Sequence, residues 1–208
     1  MVVQTRLEEK WNTISHAAGA VMGLFGLVVL FLYNTNKPWS VFSIVVYGVS
    51  IIVLFSASAL YHATKTEDKK RKFRIVDHIS IYLLIAGTYT PVLLLLLPES
   101  KGWLLFCLVW GIAAVGTVLK LFFTGKFGVL STLLYLVMGW LIVLDFEALK
   151  LLMNPDGIHL LWAGGAFYTI GIIFYAIEKI PFHHVIWHFF VLGGAICHYF
   201  MILNYVIR

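Results

Sequence analysis

The chain has 208 residues, 61% of them hydrophobic and 12% charged, with a mean hydropathy of +0.93. A soluble domain usually carries about 25% charged residues, and a water-facing fold of this size cannot hide so much apolar surface; the composition therefore excludes a soluble enzyme or binding module and calls for a bilayer as solvent. The net charge of +5 does not point to nucleic acid, because the basic residues sit at the ends of apolar stretches and in short connections, as membrane topology requires.

A helix needs roughly 20 apolar residues to cross the hydrocarbon core. The first predicted span covers 13–33 and ends at Asn34-Thr35-Asn36-Lys37-Pro38. The second covers 40–63, followed by the basic connection that runs from Thr64 past Lys72. The third covers 76–97, stopped by Pro98 and Gly102. The fourth covers 103–123, the fifth 128–150, the sixth 158–178 and the seventh 182–206, with Pro181 leading into it. No polar domain interrupts the series, so we read residues 1–208 as a single all-α membrane domain, a seven-transmembrane-helix bundle. Cys107 and Cys197 lie inside apolar segments, which argues against a structural disulfide. The N-terminus shows no signal-peptide pattern.

Seven spans put the termini on opposite sides. With the N-terminus inside, the inner basic residues are Arg6, Lys10, Lys65, Lys69, Lys70, Arg71, Lys72, Arg74, Lys120, Lys126 and Lys179. The outer ones are Lys37, Lys101, Lys150 and Arg208. The positive-inside rule therefore predicts a cytoplasmic N-terminus and an external C-terminus.

Ionisable groups inside a membrane are expensive and mark functional sites. His62 falls on the last turn of the second span, Asp77 and His78 at the start of the third, His183, His184 and His188 on the first turns of the seventh, and His16 near the start of the first. All share one depth. His184 and His188 are four apart and project from one helical face, as do Ser58 and His62. Three histidines and one open position make the usual catalytic zinc site, and His62 is the third ligand we choose. Zinc lowers the pKa of bound water toward about 7; Asp77 can take or orient its proton, and Ser58 can hydrogen-bond the water or an oxyanion. The bland alternative is that these are hydrogen-bonded interior or interfacial histidines. We read His159 as interfacial and His198 as a bundle hydrogen-bonder or cavity wall. Asp145 and Glu147 read as an interfacial pair near Lys150, Lys120 as snorkelling to the inner surface, and the tryptophans near span ends as an aromatic belt.

Ser58-Ala-Leu-Tyr-His62 followed by Asp77, with His184-Val-Ile-Trp-His188 near the C-terminus, resembles the bacterial hemolysin III family, related to the progestin and adipoQ receptors and more distantly to the alkaline ceramidases. The opening Glu9…Asn12…His16, the Gly87-Thr88-Tyr89-Thr90-Pro91 stretch and His198 carry the resemblance along the whole chain. It implies zinc on residues matching His62, His184 and His188, with Ser58 and Asp77 beside it, in a multi-pass protein of the bacterial plasma membrane whose N-terminus is cytoplasmic. The eukaryotic relatives imply hydrolysis of an amide or ester in a lipid or fatty-acyl substrate. Two further readings stand beside hydrolysis: a membrane-homeostasis sensor with structural zinc, closed by a fourth ligand such as Asp77 or His16, and a cytolytic pore.

Overall fold

The computed structural model describes residues 4–124 and 126–208, and no strand occurs among them. Eight α-helices form seven spans: α1 Arg6–Leu32, α2 Ser40–Ala63, α3 Glu67–Leu95, α4 Gly102–Phe123, α5 Gly128–Trp140, α6 Phe146–Leu152, α7 Pro155–Ala176 and α8 His183–Ile202. Each span is long and apolar enough to cross a membrane, with α5 and α6 together making the fifth. α3 is the most deeply buried element and α7 among the least.

Two helices start well before the apolar run that predicts them, one through a capping box and one with an acidic first turn. At α1 the Thr5 Oγ1 accepts from the Glu8 backbone N–H at 3.2 Å, and the Thr5 N–H donates to Glu8 Oε2 at 2.7 Å. This capping box begins the helix at Arg6, ahead of the apolar run. At α3, Thr66 stands at the N-cap and Glu67 and Asp68 occupy the first turn, where carboxylates complement the helix dipole. Lys69–Lys72, expected in a loop, are therefore helical.

The fifth span differs most from expectation. A 3-10 stretch, Leu141–Asp145, separates α5 from α6. The Tyr89 hydroxyl of α3 inserts there: it donates to the Gly139 carbonyl at 2.8 Å and accepts from the Ile142 N–H at 2.9 Å. A side chain entering the backbone ladder is a known cause of such breaks. Asp145, at the end of the break, is buried and accepts from Ser100 Oγ at 2.8 Å and from the Lys101 N–H at 2.9 Å, holding the start of α4. It does not pair with Lys150, which takes Glu147 at 2.8 Å instead.

α1 buries one narrow seam. Asn12, His16, Gly19, Gly23, Gly26 and Leu30 alternate in steps of four and three and all face inward. The glycines let α1 settle into the groove between α2 and α8. A Cβ on Gly19 would meet Phe55 and Leu192, one on Gly23 would meet Ile51, and one on Gly26 would meet Tyr199. Close approach through small residues is how helices associate where lipid removes the hydrophobic drive. At the far end Lys37 Nζ donates to the Val206 and Arg208 carbonyls at 3.1 Å, and Thr35 Oγ1 donates to the Ile207 carbonyl at 2.6 Å. The C-terminus thus shares one end of the bundle with the α1–α2 turn. The starts of α1, α3 and α8 share the other, called here the basic end.

The α3–α4 contact offers a direct check. A Cβ on Gly116 would overlap the ring of Tyr82, which is fully buried, whereas one on Gly111 would meet nothing within 4 Å. Gly116→Ala is expected to destabilise the bundle by about 1–3 kcal/mol. Gly111→Ala on the same helix is expected to leave thermal unfolding in detergent unchanged or slightly raised.

Candidate metal centre

At the basic end the last turn of α2 faces the first two turns of α8. His62 comes from the former; His184 and His188, one helical turn apart, come from the latter. One nitrogen from each lies within 4.8 Å of the other two, so the three can hold a metal ion. The ring centroids are 4.9 Å apart for His62 and His188, 5.2 Å for His62 and His184, and 4.8 Å for His184 and His188. His62 and His188 are buried and His184 is half-buried.

Hydrogen bonds on the outer edges select the nitrogens that face inward. His62 Nδ1 lies 2.6 Å from Glu9 Oε2, so Nδ1–H donates to the carboxylate and Nε2 carries the lone pair. Nε2 is buried and has no partner among the described residues. Glu9 is itself held by Lys70 of α3. Ser15 Oγ donates to the Asn12 carbonyl at 3.1 Å and lies 3.5 Å from His188 Nδ1, leaving His188 Nε2 for the cluster. An imidazole whose other nitrogen donates to a carboxylate or hydroxyl is the usual arrangement of a metal ligand. Burying the His62 Nε2 unpaired costs about 1–3 kcal/mol, a penalty that a shared cation removes. The donor set and its geometry therefore fit a metal.

His16 stacks on His188, with centroids 3.6 Å apart and planes 9° from parallel. Its own nitrogens are buried without a hydrogen-bond partner among the described residues. Neither His16 nor Asp77 belongs to the group of imidazoles that can share an ion among the described residues. Ser58, one turn before His62, is buried, and its hydroxyl is the side-chain partner of the Asp77 carboxyl, with Arg74 near that carboxyl. The ring centroid of Tyr175 on α7 is 6.2 Å from that of His184.

The remaining histidines stand apart from the cluster. His183 Nδ1 turns to the Phe174 carbonyl at 3.0 Å. His78 of α3 keeps a buried Nδ1 without a hydrogen-bond partner among the described residues. His159 is exposed beside Asp156. His198 Nε2 meets the Leu161 carbonyl at 3.3 Å and also lines a cavity, so both of its expected roles hold. That cavity, of about 140 Å³, lies among α3, α5, α7 and α8 and is walled mainly by apolar side chains. It reaches from His198 to Tyr175 and Trp187, the latter adjacent to His188 in sequence and packed on Tyr175 at 5.4 Å. Val143 and Trp162 of its lining are also exposed on the outside of the bundle.

Comparison with known proteins places this geometry in a family. The model of haemolysin-III related proteins matches residues 4–199, nearly the full chain. The chain belongs to the hemolysin III family. It is 42% identical to the hemolysin-3 homolog of Bacillus subtilis (strain 168), over 97% of this chain and 95% of that protein. It is also 42% identical to hemolysin-3 of Bacillus cereus, over 96% and 92%. The human monocyte to macrophage differentiation factor is 31% identical over 98% of this chain and 87% of its own length. With seven apolar helices and bacterial relatives of this kind, the hemolysin III chain is a multi-pass bacterial membrane protein.

Hydropathy alone did not bring Glu9 or Lys70 to the site of this hemolysin III chain. The signal for Glu9 was present in the capping box. Once α1 starts at Arg6, Glu9, Asn12 and His16 fall on one face at steps of three and four. Removing the charge while keeping the shape, as in Glu9→Gln, is expected to weaken metal affinity by about 10–100-fold, measured by competition with a chelator of known affinity. Unchanged affinity would show that Glu9 does not support His62 in the metal-bound protein.

Proposed function

We propose that this hemolysin III protein is a zinc-dependent hydrolase of a lipid-like amide or ester, with its active site near the cytoplasmic face of the membrane. One observation carries the reading. Three imidazoles converge, with no fourth protein ligand in their group among the described residues, one helical turn from Ser58 and near the end of an apolar cavity. A three-ligand site beside a carboxylate is the pattern of catalytic zinc, whereas structural sites are closed by four. Imidazole donors with an open position suit zinc among divalent ions.

His62, His184 and His188 would hold the ion. Zinc there supplies Lewis acidity toward a carbonyl and makes water acidic enough to attack near neutral pH. The protein's own groups do the rest. Glu9 fixes the His62 tautomer and Ser15 that of His188. Asp77, oriented by Ser58, accepts the proton of the attacking water as its oxygen bonds to the carbonyl carbon. Asp77 then returns that proton to the departing amine or alcohol as the carbon–nitrogen or carbon–oxygen bond breaks. The apolar cavity holds the acyl chain in line with the histidines, and its walls exclude competing water. The cytolysis implied by the relatives' name would need a polar lumen, and the mainly apolar lining of this cavity does not favour one.

Metal analysis of the purified protein is expected to give one zinc per chain, lost in His188→Ala. A strong chelator is expected to lower the unfolding temperature of the wild type and to leave that of His188→Ala unchanged, because only bound metal stabilises the fold. Asp77→Asn should retain zinc yet lose about 10²–10⁴-fold in turnover of acyl amides or esters presented in detergent micelles. Full turnover by Asp77→Asn, or a lipid panel with no zinc-dependent product, overturns the assignment.

A further inference from the structure

A second polar feature lies at the basic end, outside the histidine cluster. The first turns of α3, the end of α2 and the end of α4 enclose a cavity of about 360 Å³. Glu67, Lys70, Arg71 and Arg74 all line it, because residues spaced by three and four share one helical face. The lining itself is net basic: it carries Lys70, Arg71 and Arg74 against the exposed Glu67, while Glu9 on Lys70 and Asp77 near Arg74 stand outside it. Arg74 Nε is buried and has no hydrogen-bond partner among the described residues. Lys120 of α4 is only 4% exposed, so it does not reach the surface as its sequence position suggests. It lies close enough to Arg74 for their charges to interact, and no ion pair for it occurs among the described residues. Positive-inside topology asks for cations in the connections; it does not ask for a buried guanidinium Nε without a partner or for a lysine so little exposed.

The opposite wall is of another kind. Leu121 and Phe122 line the cavity and are 54% and 75% exposed, on a face of α4 that meets the bilayer. Tyr61 completes the mouth, with Lys70 Nζ 5.3 Å from its ring centroid. Guanidinium groups recognise phosphate bidentately, and an apolar wall beside them accommodates the chain attached to a lipid phosphate. We propose that this cavity binds the phosphate of an anionic phospholipid headgroup, with Arg74 and Arg71 on the phosphate and the acyl region along Leu121 and Phe122. The lipid occupies a site distinct from the histidine cluster and joined to it through Lys70–Glu9–His62 and through Arg74 near Asp77. The assignment stands whether or not the metal centre turns over a substrate.

The test is retention of phosphatidylglycerol by the full-length protein in neutral detergent, read by mass spectrometry of the intact complex. Phosphatidylcholine and inorganic phosphate serve as comparison probes. Wild type is expected to retain phosphatidylglycerol in preference to both. Arg74→Gln is expected to bind it about tenfold or more weakly, the scale of one lost charge-assisted contact. Lys72→Gln, which removes an exposed cation outside the cavity, should bind like wild type. Arg71→Gln serves if Arg74→Gln does not fold, and thermal unfolding in detergent reports folding in each variant. Equal losses in Lys72→Gln and the cavity variants would reduce the effect to surface charge and overturn the site. Equal competition by inorganic phosphate would overturn its assignment to a lipid.

Discussion

Imidazole edges brought together at one buried point place a demand on the whole basic end of the bundle. Each unpaired nitrogen there costs about 1–3 kcal/mol, and helices in lipid gain little from hydrophobic association. The gathering therefore has to be enforced by specific contacts. α1 supplies most of them: its glycine seam lets it lie against α2 and α8, and its first turns deliver Glu9 to His62, Ser15 to His188 and His16 to the face of His188. Lys70 then ties α3 into the same knot through Glu9. The outer hydrogen bonds dispose of one nitrogen on each of His62 and His188, and the buried His62 Nε2 is left without a partner among the described residues, a state that a shared cation resolves.

α3 links the two ends of this arrangement. Near its start it carries Asp77 against Ser58, and Arg74 toward the basic cavity. Farther along, the Tyr89 hydroxyl breaks the backbone ladder between α5 and α6. The same stretch of the fifth span lines the apolar cavity, through Gly139, Trp140, Ile142 and Val143. A helix break and an internal space thus occur together, and one tyrosine accounts for the break. The space ends beside Tyr175 and Trp187, so anything that fills it is held next to the histidines.

Several elements were legible from residues alone. α2 runs Ser40–Ala63, as the apolar run and its polar ends predict, and the membrane depth of His62, His184 and His188 follows from the order of spans. Other features were visible only to signals weaker than hydropathy. The capping box at Thr5 and Glu8, and the acidic first turn of α3, start two helices inside segments that read as polar connections. Asp145 and Lys120 were misplaced for a different reason. A charge near a helix end looks interfacial in sequence, whereas its actual partner is chosen by a neighbouring span: Ser100 and Lys101 for Asp145, and a buried position beside Arg74 for Lys120.

The bilayer acts as a potential along one axis, so apolar length and polar interruption are enough to set how many times the chain crosses and how deep each residue lies. The amino-acid sequence therefore determined seven spans and a common level for His62, His184 and His188. Rotation of each helix about its own axis, and the nitrogen each ring turns inward, lie outside that potential. They are set by the packing of glycine faces and by hydrogen bonds between residues more than fifty positions apart, such as Glu9 with His62. Only the assembled bundle decided that three of the eight histidines meet, that a fourth stacks on one of them, and that a carboxylate stands behind the group.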